Sequence, residues 1–381
     1  MYLKKLGAKM KKVGLYIHIP FCEKKCYYCD FTAFAHLDRW IEPYIKNLKR
    51  ELSLYRQSLT LTIDTIYIGG GTPSYIDEKY ISEIVSEVRK FPCEIKEFSL
   101  ECNPNSINKD KLKLYEDLGV TRISLGVQSF DDLVLNNIGR NHKKDIAIRD
   151  IEMIKNFDFD LSFDLMLNLP GQDFSSIKKD LAYVKALDPD HISWYSLILD
   201  KGSRFYALNE KGKLELMDDD REVDIFNYIV DELARLNLNR YEISNFAKPG
   251  KESIHNKKYW DIEGYLACGL GASGFLSNVR YSNASNFVIY EKMLKEGKKP
   301  IVSREFISQK EREKEYIIFK LRQTRGINLE EFRKEFKADF LKKYKKAIDK
   351  FIDDDFFVID DCFSFTKKGM ELSNEFYLEI I

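Results

Sequence analysis

Three cysteines, Cys22, Cys26 and Cys29, fall within eight positions directly after the apolar run GLYIHIPF. Cysteine thiolates hold iron–sulfur clusters, so three of them at C-x3-C-x2-C spacing could bind a [4Fe–4S] cluster. The missing fourth cysteine would leave one iron of that cluster open to a chelating ligand from solution. On spacing alone, a zinc site completed by His18 or by a distant cysteine is the alternative.

A glycine-rich segment follows the second β-rich run, at Gly69, Gly70 and Gly71, and continues into Thr72. Glycine lets backbone amides approach a ligand closely, and the Thr72 hydroxyl adds another hydrogen-bonding group. A tight turn between a strand and a helix is the alternative interpretation of the three glycines.

Four more polar residues could contact a small ligand. Glu101 and Asp164 end two β-rich runs and could accept hydrogen bonds from ribose hydroxyls or from an amine. Gln128 offers an amide, and Arg140 offers a fixed cation for a carboxylate. Taken singly, each is more typical of a solvated loop residue, so a site requires elements that bring the four together.

Six short β-rich runs alternate with longer charged segments of helical periodicity, and this alternation predicts a parallel sheet with right-handed crossovers. Six units favour an incomplete barrel over the closed barrel of eight, and ligands of such folds bind where strands end. The sequence therefore predicts an α/β fold with a partial (β/α)6 barrel. The runs span residues 14–20, 63–71, 97–103, 121–128, 160–171 and 191–197.

The composition excludes some classes of function. Lysine plus arginine and aspartate plus glutamate each number 61 among 381 residues, so no basic surface favours a nucleic-acid partner. An odd count of seven cysteines, most of them scattered, is atypical of a secreted disulfide framework and favours a reducing cytoplasm. We find no signal peptide and no membrane-spanning run, and residues 1–9, ahead of Met10, are predicted to be an upstream-start artefact or a disordered tail.

The second half of the chain is organised differently. Helical patterns at 309–323 and 329–352, then two short strands and a final helix, predict a winged-helix-like C-terminal segment. The predicted division is an N-terminal tail (1–13), a barrel (14–235), a linking region (236–305) and a C-terminal helical, winged-helix-like domain (306–381). The run GLGASGF at 269–275 would suit a close backbone approach to a flat ligand, with a tight turn as the plainer interpretation.

From Cys22 to Gly171 the chain resembles the radical S-adenosylmethionine (radical SAM) superfamily, and within it the anaerobic coproporphyrinogen III oxidase (HemN) family. The segments YIHIPFC, GGGTPS, RISLGVQSF, GRNH and NLPGQ occur in that order. The resemblance implies a radical SAM barrel. It also implies that Cys22, Cys26 and Cys29 bind a [4Fe–4S] cluster whose open iron is chelated by S-adenosylmethionine.

The same resemblance implies a cofactor pocket around the cluster. A reduced cluster in this superfamily takes an electron from a donor and cleaves a carbon–sulfur bond of S-adenosylmethionine to give a deoxyadenosyl radical. The implied cofactor-binding residues are Tyr16, Tyr28, Gly70, Gly71, Thr72, Glu101, Gln128, Arg140 and Asp164.

Two departures distinguish branches of the family. The dehydrogenase motif carries a further cysteine two positions after the third, where this chain has Phe31. The dehydrogenases also have a longer N-terminal extension, whereas fifteen residues precede Tyr16 here. Both departures favour the HemW-like heme chaperone branch, so coproporphyrinogen oxidase activity is not expected. Oxidative decarboxylation of coproporphyrinogen III is the nearest alternative, followed by a radical SAM methyltransferase.

A second motif agrees with the chaperone branch. His255, Asn256, Tyr259 and Trp260 form an H-N-x-x-Y-W segment that resembles the heme-associated signature of that branch. An imidazole can ligate heme iron while aromatic rings cover the macrocycle, so His255 is the candidate heme iron ligand. Without the resemblance, His255 would be a loop or core histidine. The implied partners are heme, heme-accepting apoproteins and an electron donor, with peripheral membrane contact left open.

Overall fold

The computed structural model describes residues 11–352 and 355–380. The strands are β1 (Lys11–Ile19), β2 (Phe21–Cys22), β3 (Phe34–Ala35), β4 (Leu61–Gly70), β5 (Cys93–Cys102), β6 (Arg122–Gln128), β7 (Asp160–Leu167), β8 (His191–Ser196), β9 (Asn239–Arg240), β10 (Asn245–Ala247), β11 (Tyr265–Cys268), β12 (Ser273–Leu276), β13 (Val279–Asn283), β14 (Ile301–Phe306), β15 (Ile327–Asn328), β16 (Phe357–Ile359) and β17 (Cys362–Phe365).

The helices are α1 (Ile41–Ser58), α2 (Glu78–Val88), α3 (Lys109–Asp117), α4 (Asp132–Asn137), α5 (Lys144–Ile154), α6 (Phe174–Leu187), α7 (Arg204–Asn209), α8 (Asp219–Arg235), α9 (Ile254–Trp260), α10 (Phe287–Lys295), α11 (Gln309–Leu321), α12 (Leu329–Phe336), α13 (Phe340–Lys343), α14 (Lys345–Asp349), α15 (Lys367–Glu371) and α16 (Ser373–Ile380). Short 3-10 turns lie at Asp38–Trp40 and Pro73–Tyr75.

Within the described residues, the main sheet has twelve strands in the order β14-β13-β12-β11-β1-β4-β5-β6-β7-β8-β10-β9. The strands from β11 to β8 in this order run parallel, and the strands at both ends run antiparallel. The predicted βα runs correspond to β1, β4, β5, β6, β7 and β8. The predicted α/β class and partial barrel are therefore confirmed.

Alternation along the strands separates the apolar core from the barrel interior. Leu15 and Ile17 of β1 are fully buried and join the core with Leu48 and Leu52 of α1. The intervening Tyr16 and His18 side chains line a cavity instead. Because successive side chains of a strand point to opposite faces, one face of each strand packs on helices and the other carries polar groups.

Residues 236–305, predicted as a linking region, contribute β9 to β13 and most of β14 to the main sheet. β11 pairs in parallel with β1, with Gly14 opposite Tyr265. The glycine-rich run at 269–275 connects β11 to β12 and forms the first three of the four residues of β12. Gly271, Ala272 and Ser273 of this run line a cavity.

The C-terminal residues form a second apolar cluster. A sheet in the order β15-β17-β16 packs with α11, α12 and α16 around Phe332, Phe363 and Phe376, all fully buried. This arrangement agrees with the predicted winged-helix-like segment. The predicted N-terminal tail lies largely outside the described residues, and its residues 11–13 belong to β1.

Over the ranges 11–352 and 355–380, none of the helices has both the length and the apolar composition needed to cross a bilayer.

Candidate functional site

The cysteines lie on the loop that leaves the first strand of the barrel. Cys22 ends β2 and is buried, while Cys26 and Cys29 are half-buried in the segment that follows. The Cys29 amide donates to the Cys26 carbonyl oxygen at 3.3 Å, and the Tyr27 amide donates to the Ile138 carbonyl oxygen at 3.1 Å, which ties this loop to the end of α4. All three thiols line one cavity of about 270 Å³, named here the cluster cavity.

Side chains from outside the loop contact the sulfur atoms. The Thr72 hydroxyl donates to Cys22 Sγ at 3.5 Å, and the Arg140 guanidinium donates to Cys26 Sγ at 3.4 Å. Burial raises the pKa of the Cys22 thiol and raises that of Cys29 to about 11. Metal-bound thiols are deprotonated, so iron binding must release these protons, and nearby donors to sulfur favour the thiolate form. The thiols and their donors fit a [4Fe–4S] cluster.

A single metal ion, such as zinc, would need several ligand side chains to converge on one point. Across the part of the chain that the structure describes, no three His, Cys, Asp or Glu side chains are close enough to hold one ion. In a cluster, by contrast, each thiolate bonds its own iron atom. His18, the candidate fourth zinc ligand, has both ring nitrogens in hydrogen bonds, with the Tyr16 hydroxyl at 2.9 Å and the Thr32 carbonyl oxygen at 2.8 Å.

Tyr16 apart, every residue predicted to bind the cofactor lines the cluster cavity with the cysteines. These residues come from the cysteine loop, from the carboxyl ends of β4, β5 and β6 as expected for a parallel barrel, from the segment after α4 (Arg140) and from the middle of β7 (Asp164, which was predicted at a strand end). They are Tyr28, Gly70, Gly71, Thr72, Glu101, Gln128, Arg140 and Asp164.

Two carboxyl groups in this cavity have raised pKa values. Glu101 accepts hydrogen bonds from the Tyr67 hydroxyl at 2.8 Å and from the Gly70 amide at 2.9 Å, and burial raises its pKa to about 7. Gly70 has a φ of 116°, a conformation that suits glycine and aims its amide at the carboxylate. Asp164 accepts from the Ser124 hydroxyl at 3.1 Å, and burial raises its pKa to about 6. Near neutral pH Glu101 is therefore partly protonated and Asp164 is mostly ionised, and the ionised form of each carboxyl can accept hydrogen bonds from hydroxyl or amine donors.

Arg140 and Gln128 are held by their neighbours. The Arg140 guanidinium donates to Asn103 Oδ1 at 2.9 Å and to the Gly126 carbonyl oxygen. Gln128 has a φ of 69° and follows an irregularity in the pairing of β6 with β7. The buried Asp180 of α6 fixes the next turn by accepting from the Phe130 amide at 2.6 Å.

Nine further residues that line the cluster cavity were not predicted as site residues: Lys24, Lys25, Phe31, Tyr67, Cys102, Asn103, Gly126, Ser193 and Tyr195. Tyr67 and Asn103 flank the predicted GGG and Glu101 positions, so their nearness to strand ends was the available signal. Ser193 and Tyr195 alternate along β8, and the Tyr195 hydroxyl donates to Gln128 Oε1 at 3.4 Å.

A second cavity of about 510 Å³ adjoins the first, and we name it the aromatic cavity. The two share Phe31, Gly70 and Glu101. Phe31 is 60% exposed at their common rim. The other residues that line the aromatic cavity are Tyr16, His18, Asp30, Thr32, Tyr259, Tyr265, Gly271, Ala272 and Ser273.

His255 is buried and is not among the described residues that line the aromatic cavity. Its side chain is 0% exposed, with Nδ1 at 2.8 Å from Thr65 Oγ1 and Nε2 at 2.9 Å from the Tyr259 hydroxyl. Burial, reinforced by Lys258, lowers the pKa of His255 to about 3, so the ring is neutral. The Glu97 carboxylate accepts hydrogen bonds from the backbone amides of Ile254 and His255. These bonds anchor the start of α9 among the strands. From this segment, Tyr259 is the residue that reaches the aromatic cavity.

Comparisons with known proteins agree with this geometry. Residues 16–184 match the radical SAM superfamily, and residues 307–372 match the HemN C-terminal domain. The chain is 36% identical to the heme chaperone HemW of Lactococcus lactis over 371 residues, which covers 96% of this chain and 97% of that protein. It is 34% identical to the heme chaperone HemW of Bacillus subtilis over 88% of this chain and 87% of that protein.

Among solved structures, coproporphyrinogen III oxidase (HemN) from Escherichia coli superposes with a TM-score of 0.86. The match covers 97% of this chain and 90% of that chain at 20% sequence identity. At this level of identity the likeness shows a shared fold.

Proposed function

Because this chain belongs to the heme chaperone HemW family of the radical SAM superfamily, we propose that it binds a [4Fe–4S] cluster, S-adenosylmethionine and heme and passes heme to an acceptor protein. The observation that carries the proposal is the pair of adjoining cavities. One holds three thiols and the groups suited to S-adenosylmethionine, and the other is lined by aromatic side chains.

The cluster cavity supports the cofactor part of the proposal. Cys22, Cys26 and Cys29 would hold the cluster, and a reduced cluster supplies one electron to bound S-adenosylmethionine in this superfamily. Arg140, fixed by Asn103 and the β6 backbone, can receive a carboxylate as a planar cation. Among the described residues neither Asp164 nor Glu101 forms a salt bridge, so both carboxyl groups can accept hydrogen bonds from hydroxyl or amine groups.

The aromatic cavity supports the heme part. Tyr16, Phe31, Tyr259 and Tyr265 present ring surfaces to a space of about 510 Å³, which lies in the usual range for sites that bind small molecules. Aromatic walls suit a flat apolar macrocycle, and ring hydroxyls give it polar contacts. Phe31 stands where the dehydrogenase motif has a cysteine, so the rim offers an apolar surface in place of a further thiol.

We also propose that the chain works in the cytoplasm and meets two kinds of protein partner, an electron donor for the cluster and heme-accepting apoproteins. Lys24 and Lys25 line the cluster cavity. This positive charge favours an acidic electron-transfer protein.

The test is anaerobic reconstitution of the cluster followed by hemin titration, monitored by the Soret absorption, with a parallel assay of coproporphyrinogen III consumption. The proposal expects stoichiometric hemin binding and unchanged coproporphyrinogen. Conversion of coproporphyrinogen without stable hemin binding would refute the proposal and identify an oxidative decarboxylase.

A further inference from the structure

Two residues of the H-N-x-x-Y-W segment lie one helical turn apart on α9 but meet different surroundings. His255 is fully buried, and both of its ring nitrogens are within hydrogen-bonding distance of side-chain hydroxyls. Tyr259 is partly exposed and lines the aromatic cavity. Residues four apart on a helix lie on the same face, and here the His255 ring is within hydrogen-bonding distance of the Tyr259 hydroxyl.

We infer that Tyr259, held in place by His255, is the residue that ligates the iron of a heme bound in the aromatic cavity. The inference deepens the proposed function and rests on it, because it concerns where heme is held. It replaces the sequence-based prediction that His255 is itself the iron ligand. Tyrosine is an established axial ligand of heme iron, so the chemistry needs no unusual group.

The hydrogen bonds around His255 suit a phenolate ligand. A neutral imidazole has one N–H, and the Thr65 hydroxyl can donate to Nδ1, which places that N–H on Nε2. Nε2 can then donate to the Tyr259 oxygen and stabilise its negative charge once iron is bound.

Ligation is balanced without a redox step. The O–H bond of Tyr259 is replaced by an oxygen–iron bond, and the proton leaves to water in the open cavity. The iron stays ferric throughout. Hemin, which is ferric heme, is therefore the appropriate probe.

Tyr16 faces the same cavity but is less suited to ligation. The Thr32 carbonyl oxygen can only accept, so His18 must carry its proton on Nε2 and accept at Nδ1. The Tyr16 hydroxyl is thereby committed to donating its proton to His18. A Tyr16 phenolate would face an unprotonated nitrogen, which would repel its charge. Tyr265 meets the Tyr259 ring edge-on at 4.6 Å between centroids and forms a wall of the cavity.

The chain contains a matched control for this arrangement. The Tyr241 hydroxyl lies 2.9 Å from His191 Nε2, and His191 Nδ1 lies 2.8 Å from the Ser162 hydroxyl. These distances equal those of the Tyr259, His255 and Thr65 set. Tyr241 is not among the described residues that line the cluster cavity or the aromatic cavity. Tyr241→Phe therefore removes the same kind of buried hydrogen bond without removing the proposed ligand.

The experiment is resonance Raman and absorption spectroscopy of the full-length protein loaded with hemin, for wild type, Tyr259→Phe, Tyr241→Phe and His255→Gln. We expect an iron–phenolate vibration in wild type and Tyr241→Phe and its loss in Tyr259→Phe, with hemin binding weakened about a hundredfold. His255→Gln should keep that vibration at a shifted frequency and weaken hemin binding about tenfold.

A second variant covers the case in which Tyr259→Phe fails to fold. Tyr259→His should convert the spectrum to that of a histidine-ligated heme, and an unchanged spectrum would overturn the inference. A histidine-type spectrum in wild type that survives in Tyr259→Phe and disappears in His255→Gln would also overturn it, while the proposed heme chaperone function would stand. Absence of hemin binding by the wild-type protein would instead refute the proposed function itself.

Discussion

At the level of single residues, the sulfur environment of the cluster cavity depends on side chains far away in sequence. Thr72 and Arg140 donate to the sulfurs of Cys22 and Cys26. Hydrogen bonds to cluster sulfurs help to set the reduction potential of iron–sulfur clusters. These contacts join the cysteine loop to the segments after β4 and α4, so the fold would influence a bound cluster as well as hold it.

The cysteine assignment predicts a specific loss. Cys26→Ala should abolish cluster assembly, because the remaining thiols leave two irons without protein ligands. Iron and sulfide analysis after anaerobic reconstitution measures this. Cys93→Ala is the matched control, since Cys93 is exposed and lies at the start of β5, and its iron content should equal that of wild type. Full iron content in Cys26→Ala would contradict the assignment.

We expect that substitution of Arg140 lowers the affinity for S-adenosylmethionine without loss of the cluster. Arg140→Lys removes the planar fork that reaches Cys26 and Asn103 together. Equilibrium binding of S-adenosylmethionine to the reconstituted protein should weaken about tenfold, with iron content retained. Arg149→Lys, at a half-exposed position on α5, should bind the cofactor like wild type. Equal affinity in the Arg140 and Arg149 variants would exclude a cofactor role for Arg140.

Much of the candidate site was predictable from residue types and strand ends. The three cysteines and residues such as Gly70, Glu101 and Gln128 line one cavity because parallel strands end at the same edge. Tyr16 and Asp164 both lie mid-strand, yet Tyr16 lines the aromatic cavity and Asp164 lines the cluster cavity, a distinction that requires the three-dimensional register. The sequence left open whether His255 is a loop histidine, a core histidine or a heme ligand, because its burial depends on where α9 docks.

At the level of secondary-structure elements, the rim of the aromatic cavity is held by a buried carboxyl group of α1. Glu51 is 0% exposed and accepts from the Gly269 amide at 2.9 Å, the Asn283 amide at 2.7 Å and the Tyr290 hydroxyl at 2.5 Å. It therefore joins α1 to the loop after β11, to β13 and to α10. The loop it anchors leads into Gly271, which lines the aromatic cavity.

Glu51 predicts a pH dependence of stability. Burial raises its pKa from 4.5 to about 7, so between these values the folded state holds a proton that the unfolded state has lost. The contribution of this group to the free energy of unfolding is therefore greatest below about pH 4.5. It falls as the pH rises from about 4.5 to about 7, and it stays at its lowest value above about pH 7. Relative to Glu51→Gln, wild type should lose up to about 3 kcal/mol across this range.

Chemical denaturation of both proteins from pH 5 to pH 8 measures that difference. Glu42→Gln on the exposed face of the same helix should track wild type at every pH. A constant difference between wild type and Glu51→Gln would show that Glu51 does not titrate in this window.

The elements differ in how well the sequence predicted them. The six long barrel strands carry clear apolar runs and were identified. Strands β11, β12 and β13 contain four or five residues each and surround the glycines of the 269–275 run, so their local pattern resembles a turn. They form strands because β1 offers an unpaired edge, which is a tertiary cause that local sequence does not reveal.

At the level of the whole molecule, Asp261 links the H-N-x-x-Y-W segment to the C-terminal domain. It follows α9 directly and accepts from Lys320 Nζ of α11 at 2.5 Å, from Gln323 Nε2 at 3.1 Å and from Arg325. Ile262 and Phe275 also belong to the apolar cluster of the C-terminal domain. The C-terminal domain is thus packed against the segment that carries Tyr259.

Removing this link should destabilise the molecule. Asp261→Ala leaves the buried Lys320 without its carboxylate, which should cost about 3 kcal/mol in the free energy of unfolding. Urea denaturation measures this cost. Glu330→Ala breaks an exposed pair with Lys334 and should change stability by less than about 0.5 kcal/mol. Equal stability of the two variants would show that the Asp261 contacts do not hold the C-terminal domain.

The most direct test of the central proposal is the rate at which the hemin-loaded protein transfers heme to a heme-free b-type cytochrome, followed by absorption at increasing acceptor concentration. A chaperone that hands heme over should show a transfer rate that rises with acceptor concentration and exceeds the rate of heme release to a passive apoglobin scavenger. A rate that is independent of the acceptor and equal to simple release would contradict a chaperone function.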